Sequence, residues 1–132
     1  MAPKILVIDD DRSTLLLVTG RLIKLGYSVM TASDGEKGLE LARLIRPGLI
    51  ISDMLIPKID GMSLCRTIKA DPETAGARFI LITAVFKQAA FRAEAASAGI
   101  DEFMEKPLDM DSLVAKVREL IGVSDEGSEP GS

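Results

Sequence analysis

Near its start the chain reads Ile5-Leu6-Val7-Ile8-Asp9-Asp10-Asp11, four apolar residues followed at once by three acidic residues. An apolar run of this length is typical of a buried strand, so the carboxylates lie where that strand ends. Packed carboxylates repel one another and raise one another's pKa unless a cation shares the site. The stretch predicts either a site that holds a metal ion or a proton, or a solvated acidic turn at a helix start.

Apolar, strand-like segments alternate with amphipathic, helix-like segments along the rest of the chain. The predicted strands are residues 4–8, 28–32, 49–52, 79–83 and 102–105, and the predicted helices are residues 13–25, 35–45, 61–70, 88–98 and 111–121. Five such units in series predict an α/β fold, a single doubly wound domain with a parallel five-stranded sheet and helices on both faces.

The last residues differ in composition from the rest of the chain. Residues 123–132 are rich in Ser, Gly, Glu and Pro and have no apolar spacing. Such a segment buries too little apolar surface to fold. We therefore expect one domain over residues 1–122 and a disordered tail or truncated linker over residues 123–132.

Composition excludes several classes of function. The 132 residues are 47% hydrophobic, enough for one core, and the net charge of −4 without a basic stripe argues against direct nucleic-acid binding. Cys65 is the only cysteine, which excludes an internal disulfide and favours apolar packing. There is no histidine, so a Ser-His-Asp triad, a histidine metal site and an internal phosphohistidine are excluded. No apolar run approaches the ~20 residues that span a bilayer, and we expect a cytoplasmic protein.

Polar residues stand where the predicted strands end. Asp9 and Asp10 end the first strand, Asp53 the third and Thr83 the fourth, and Lys106 follows the fifth. Ligands of open parallel sheets bind beyond the carboxyl ends of the strands. We therefore expect three carboxylates, a hydroxyl and an ammonium group to converge on one edge of the sheet.

From Lys4 to about Gly122 the chain resembles the receiver domain of two-component response regulators, the chemotaxis-regulator-like family. The matching motifs are Val7-Ile8-Asp9-Asp10-Asp11, Asp53-Met54-Leu55-Ile56-Pro57-Lys58-Ile59-Asp60-Gly61, Ile82-Thr83-Ala84 and Phe103-Met104-Glu105-Lys106-Pro107. The resemblance implies a flavodoxin-like fold with strand order 2-1-3-4-5.

The resemblance also implies a phosphorylation site that uses Mg²⁺. Asp53 would be the phosphoacceptor, and Asp10 and Asp53 would bind the ion, with Asp9 acting directly or through water. The backbone carbonyl of Leu55 would complete the protein ligands, in keeping with the oxygen ligands that Mg²⁺ prefers. Asp11 is expected to begin a helix rather than to bind the metal.

Other implied roles belong to residues around the acceptor. Lys106 would pair with Asp53 and with a phosphoryl oxygen, and Pro107 after it permits a cis peptide. Thr83 would donate its hydroxyl to the phosphoryl group, and Phe103 would turn inward as the aromatic switch. The output surface would be the fourth helix, fifth strand and fifth helix, roughly residues 88–120, which could also pair two copies of the chain.

These roles imply a phosphorylation-dependent signalling switch rather than an enzyme, since it catalyses only its own phosphorylation and dephosphorylation. The donor would be a sensor histidine kinase or a histidine phosphotransfer protein, and the output protein or domain is not encoded in any motif.

The residues two beyond Asp53 and Thr83, Leu55 and Val85, are both apolar. Family members often place polar groups there to orient hydrolytic water, so we expect slow self-dephosphorylation.

Two alternatives stay open. Asp9-Asp10-Asp11-Arg12-Ser13 also fits the D-x-D-x-S motif of haloacid-dehalogenase-like phosphatases, with Asp9 as nucleophile and Asp11 as general acid. Thr83 and Lys106 could then bind phosphate, but the chain lacks room for a cap and leaves the Asp53 motif without a purpose. The second alternative is a pseudo-receiver that acts only as an interaction module.

Overall fold

Five strands alternate with five helices in the computed structural model, which describes residues 3–84 and 89–122. The strands are β1 (Lys4–Ile8), β2 (Ser28–Ala32), β3 (Leu49–Asp53), β4 (Arg78–Thr83) and β5 (Glu102–Glu105), and the helices are α1 (Arg12–Lys24), α2 (Gly35–Ile45), α3 (Gly61–Ala70), α4 (Ala89–Ala98) and α5 (Met110–Ile121). The predicted bounds agree with these to within one residue. Gln88, predicted to begin the fourth helix, and the predicted tail at residues 123–132 lie outside the described residues.

The strands form one parallel sheet in the order β2-β1-β3-β4-β5. This confirms the predicted fold class and strand order. In the register of the sheet, Ile8 pairs with Ser52, and Asp53 pairs with Ile82. The carboxyl ends of β1, β3 and β4 therefore lie side by side, which places the residues that follow them at one edge.

The core has two layers, one on each face of the sheet. Leu6 and Ile8 of β1 face the layer that includes α2, α3 and α4, whereas Ile5 and Val7 face the layer with α1 and α5. Because both faces are covered, the central strands are apolar at nearly every position. None of the helices in residues 3–84 and 89–122 is long and apolar enough to cross a membrane.

Acidic residues begin four of the helices. The N-caps of α1, α2, α3 and α5 are Asp11, Asp34, Asp60 and Asp109, and each side chain accepts a hydrogen bond from a backbone N–H of the first turn. Such caps satisfy N–H groups that have no partner within the helix, and the negative charge suits the positive end of the helix dipole. These four acidic residues thus have a structural explanation.

Candidate functional site

The strand ends place the predicted site residues through backbone hydrogen bonds that continue the sheet. The N–H of Asp9 donates to the Ala32 carbonyl at 3.1 Å, which extends the pairing of β1 with β2. The N–H of Lys106 donates to the Thr83 carbonyl at 3.2 Å, which extends the pairing of β5 with β4. Backbone hydrogen bonds of the sheet thus fix the positions of Asp9 and Lys106, whose strands lie on opposite sides of β3.

A glycine lets the chain turn sharply after Asp53. A Cβ on Gly61, the first residue of α3, would lie 2.6 Å from the Asp53 carbonyl oxygen and 2.7 Å from Leu81 Cδ1. No other residue fits without displacing the backbone of β3. Gly61 therefore lets α3 begin directly against the strand end that carries Asp53.

Asp9, Asp10 and Asp53 form one carboxylate cluster. Each offers a carboxylate oxygen, and these three oxygens lie within 4.8 Å of one another. Asp9 is 2% and Asp53 5% exposed, whereas Asp10 is open to solvent. The structure thus brings together the three carboxylates that the sequence analysis placed at this edge.

Lys106 brings a positive charge to the cluster. Its Nζ donates to Asp53 Oδ2 at 3.0 Å. Burial alone would lower the pKa of Lys106, but the hydrogen bond to Asp53 and the charges of Asp53, Asp9 and Asp10 raise it above its ordinary value. The peptide bond from Lys106 to Pro107 is cis.

Among residues 3–84 and 89–122, the carboxylates of the cluster outnumber its cation. The pKa of Asp9 is raised, chiefly because the group is buried and also because of the charges on Asp53 and Asp10. The hydrogen bond from the Asp11 N–H to Asp9 Oδ1, at 2.9 Å, and the charge of Lys106 oppose this rise without cancelling it. Three hard oxygen donors with excess negative charge fit a divalent cation such as Mg²⁺.

Asp11 belongs to the helix rather than to the cluster. Its carboxylate accepts hydrogen bonds from the Thr14 hydroxyl at 2.6 Å and from the Ser13 N–H at 3.3 Å. The bond from Thr14, followed by that from Ser13, lowers the pKa of Asp11. This confirms the expected helix-start role and does not favour the phosphatase motif, in which Asp11 would have to give up a proton as general acid.

The other predicted site residues differ in how deeply they are buried. Thr83 ends β4 and is 2% exposed, whereas the Leu55 side chain is 77% exposed. Phe103 is half-buried on β5, where it packs against the core layer of α2, α3 and α4 and against the ring of Phe91. Val85 lies outside the described residues.

The sequence analysis missed the contact that holds the loop after β3. The N–H of Gly35, at the start of α2, donates to the Pro57 carbonyl at 3.0 Å, and there is no room for a Cβ on Gly35 against Ile59. Lys58, with φ of 71°, lies with its ammonium 3.7 Å from the Asp34 carboxylate. In the sequence, Asp34-Gly35 precedes a predicted helix and indicates only a helix start, because its contact with the loop depends on tertiary structure.

Comparisons with known proteins agree on one family. A model of the response regulator receiver domain matches residues 5–118. The DNA-binding dual master transcriptional regulator RpaA of Synechocystis is 37% identical over 123 residues, which cover 93% of this chain and 51% of that protein. This chain spans about half or less of the length of the curated relatives that it matches.

Two solved receiver domains are similar in both sequence and fold. That of a signal transduction histidine kinase from Syntrophus aciditrophicus is 30% identical with a TM-score of 0.83, covering 91% of this chain and 90% of that one. That of the sensor histidine kinase PA1611 from Pseudomonas aeruginosa was solved with a magnesium ion coordinated in its active site cleft. It is 27% identical with a TM-score of 0.82, covering 92% of this chain and 99% of that one.

Proposed function

Because this chain belongs to the response regulator receiver domain family, a family of signalling modules rather than classical enzymes, we propose that it accepts a phosphoryl group on Asp53 and works as a phosphorylation-dependent switch. The observation that supports this best is the surroundings of the Asp53 carboxylate. It is buried, lies among two other carboxylates and is held by Lys106 at 3.0 Å.

The reaction we propose is transfer from a phosphohistidine of another protein. An Asp53 carboxylate oxygen forms a bond to phosphorus while the bond from phosphorus to the imidazole nitrogen breaks, and the histidine takes up a proton. A carboxylate and a phosphoryl group repel each other, so catalysis consists mainly of positioning and charge neutralisation. Lys106 supplies positive charge beside the attacking carboxylate, and the Thr83 hydroxyl is the donor we assign to a phosphoryl oxygen.

Asp9, Asp10 and Asp53, together with the Leu55 backbone carbonyl, are the residues that we propose hold Mg²⁺. When bound, the ion would neutralise negative charge on the phosphoryl oxygens and so reduce their repulsion of the Asp53 carboxylate. Asp10 is exposed and accessible to an incoming ion, whereas the buried Asp9 faces the interior of the cluster. The magnesium ion in the Pseudomonas aeruginosa receiver domain supports this assignment.

The proposed signal is a change on the face formed by α4, β5 and α5. In the sheet register, Phe103 of β5 pairs with Leu81 of β4. Leu81 stands two residues before Thr83 on the same strand. A phosphoryl group that attracts the Thr83 hydroxyl would change the packing next to Phe103. The partners we propose are a histidine kinase or phosphotransfer protein as donor, and an output protein or domain that contacts this face.

We further propose that residues 1–122 form the receiver domain and that residues 123–132 form a tail or linker. RpaA of Synechocystis is a DNA-binding regulator, and the match covers 51% of its length. Since the net charge of this chain is −4, any DNA-binding role would belong to an additional domain.

Incubation with acetyl phosphate and Mg²⁺, followed by intact-protein mass spectrometry, tests the proposal. The wild type should gain one phosphoryl group, and Asp53→Asn should gain none. A wild type without a mass shift or a conformational response would favour the pseudo-receiver alternative. Turnover of a generic phosphate ester that is lost in Asp9→Asn and retained in Asp53→Asn would instead indicate a phosphatase.

A further inference from the structure

The loop between β3 and α3 is fixed at its base. The Met54 N–H donates to the Ile82 carbonyl at 2.9 Å, and the Met54 carbonyl accepts from the Gly61 N–H at 2.9 Å. Further along the loop, the Ile56 side chain is 7% exposed and belongs to the core layer of α2, α3 and α4. Leu55, whose backbone carbonyl is a proposed ligand of Mg²⁺, therefore lies between two residues that the fold holds in place.

The tip of this loop, residues 57–59, rests on the first residue of α2. The Gly35 N–H donates to the Pro57 carbonyl at 3.0 Å. A Cβ on Gly35 would lie 2.7 Å from Ile59 Cβ and nearer still to the Ile59 carbonyl oxygen. Atoms that are not bonded to each other do not approach so closely, and a backbone oxygen cannot rotate away as the end of a side chain can. Any larger residue at position 35 must therefore push the loop tip and the helix apart.

A strained turn and weak ion pairs shape the tip itself. The Ile59 N–H donates to the Pro57 carbonyl at 2.8 Å, and Lys58 between them has φ of 71°. A three-residue turn with positive φ is rare and strained. The Lys58 ammonium lies 3.7 Å from the Asp34 carboxylate and 3.9 Å from that of Glu36, but the side chains of Lys58 and Glu36 are 55% and 72% exposed. Because exposed pairs contribute at most about 1 kcal/mol, the backbone contact with α2 is the larger constraint on the tip.

We propose that Gly35 is a positioning residue of the metal site, and that the contact it gives the loop tip sets the Leu55 carbonyl for Mg²⁺ rather than for a larger divalent cation. The inference rests on the proposed function, in which that carbonyl binds the ion. A loop held at both its base and its tip has little freedom between them. A shift of the tip therefore reaches Leu55 and changes the distance from its carbonyl to the Asp53 carboxylate.

Magnesium and calcium ions differ in how they respond to a displaced ligand. Mg²⁺ requires nearly octahedral geometry with oxygens at ~2.0–2.1 Å, whereas Ca²⁺ accepts irregular geometry with oxygens at ~2.3–2.6 Å. Displacement of one carbonyl should therefore weaken the binding of Mg²⁺ more than that of Ca²⁺. A general loss of stability would instead lower the apparent affinity for both ions alike. The ratio of the two dissociation constants thus separates a positioning role of Gly35 from a purely structural one.

Titration of the full chain with Mg²⁺ and, separately, with Ca²⁺, followed by NMR through the backbone amides of Asp10 and Asp53, gives both dissociation constants. In Gly35→Ala the Kd for Mg²⁺ should rise roughly tenfold to hundredfold, the range for groups that orient metal ligands, and the Kd for Ca²⁺ should rise less. Unchanged constants, a rise for Ca²⁺ at least as large, or a wild type that binds Ca²⁺ more tightly would overturn the inference. A wild type whose amides respond to neither ion would contradict the proposed metal site, and the inference with it.

Ala42→Gly is the matched control for stability. Ala42 is buried on the same helix, about two turns from the contact with the loop, so the variant weakens α2 at a distance from the site. Its melting temperature should fall, while both dissociation constants stay those of the wild type. A ratio of constants that changes as much as in Gly35→Ala would show that any weakening of α2 acts on the metal site, and would overturn the specific role of Gly35.

If Gly35→Ala does not fold, Pro57→Gly tests the same contact from the side of the loop. Pro57 is exposed, and glycine there frees the φ that proline fixes, so the tip loses its geometry without a clash against α2. The Kd for Mg²⁺ should again rise more than that for Ca²⁺. Pro72→Gly, at an exposed proline between α3 and β4, is the control for this variant and should change neither constant. Wild-type constants for both ions in Pro57→Gly would overturn the inference.

Discussion

Two charge clusters lie at opposite ends of the sheet and are balanced in opposite ways. At the carboxyl ends, within the described part of the chain, three carboxylates, Asp9, Asp10 and Asp53, lie with one ammonium group, that of Lys106. At the amino ends of β4 and β5, one carboxylate, Asp101, receives two cations, Lys69 and Arg78. The first cluster has excess negative charge, and the second does not.

The difference separates the proposed functional site from a structural network. Both oxygens of Asp101 accept hydrogen bonds, Oδ2 from Lys69 and the Phe79 N–H and Oδ1 from Arg78 at 3.4 Å, so the group is satisfied within the protein. In the carboxyl-end cluster, burial first and then the charges of Asp53 and Asp10 raise the pKa of Asp9. A buried group whose charge is not compensated by its neighbours gains from an external ligand of opposite charge, and a cation is the ligand that we propose for this cluster.

Removing the carboxylate of the balanced cluster should have the largest effect on stability. Asp101→Ala leaves the partly buried Lys69 ammonium and the Phe79 N–H without this partner, so we expect a loss of about 2–4 kcal/mol in the free energy of unfolding. Urea unfolding measures it. Arg78→Gln, which removes only the longer and more exposed contact, should cost less than about 1 kcal/mol. Equal losses in the two variants would show that Asp101 is not the centre of the network.

Removing a carboxylate from the unbalanced cluster should change ligand binding rather than apoprotein stability. Without Mg²⁺, Asp10→Asn should be as stable as the wild type or slightly more stable, since it relieves repulsion. With Mg²⁺ at about 100 times its Kd, the wild type should gain about 2.7 kcal/mol and the variant much less.

Thermal unfolding with and without Mg²⁺ measures this gain. Glu119→Gln is the matched control, because it also removes one exposed acid but lies on α5 away from the cluster. The control should keep the full stabilisation by Mg²⁺. The predicted metal site would be wrong if Asp10→Asn kept it too.

The carboxyl-end cluster was predictable from the sequence, whereas the amino-end network was not. Alternating apolar and amphipathic segments gave the strand ends to within one residue, and parallel strands bring their carboxyl ends to one edge. Asp9, Asp53 and Lys106 were therefore recognisable as neighbours. Lys69 and Asp101 are 32 positions apart, and no periodicity connects them. Their contact depends on how α3 approaches the loop after α4.

Glycines show the same division between local and tertiary information. Gly99 follows the predicted fourth helix in the sequence, a position where glycine commonly ends a helix, and its φ of +90° fits that role. The need for glycine at position 61 comes from the Asp53 carbonyl, 2.6 Å from where a Cβ would lie. Only the packed structure provides that distance. Local sequence signals thus predicted the helices and strands. Their close approach depends on the tertiary structure and was not predictable from those signals.

The exposed Leu55 offers a way to shift the kinetics of the unbalanced cluster without changing its charge. Its side chain is 77% exposed, so a polar replacement should be tolerated in the fold. Leu55→Asn should orient water toward the acyl phosphate and speed its decay by about tenfold, equivalent to about 1.4 kcal/mol in the barrier. Loss of phosphoprotein after removal of the donor, in Mg²⁺ buffer, gives the rate. Leu55→Ala is the control for loss of the leucine side chain alone. Decay of the wild-type phosphoprotein within seconds to a minute would contradict the expected slow self-dephosphorylation.

Cys65, beside the balanced cluster, should give the smallest effect, a pH dependence of stability. Burial raises the pKa of the thiol from 9.0 to about 12, so the folded state keeps its proton at pH values where the unfolded state has lost it. Stability should therefore fall as pH rises from 9 toward 12, by about 1 kcal/mol at pH 10 from this group. Urea unfolding of wild type and Cys65→Ala at pH 7 and pH 10 isolates the term, because other groups titrate equally in both. Ile68→Val, a buried substitution on the same helix without a titrating group, should lower stability equally at both pH values. A wild type that loses no more stability than Cys65→Ala at pH 10 would show that the thiol ionises as easily in the folded protein as in the unfolded chain.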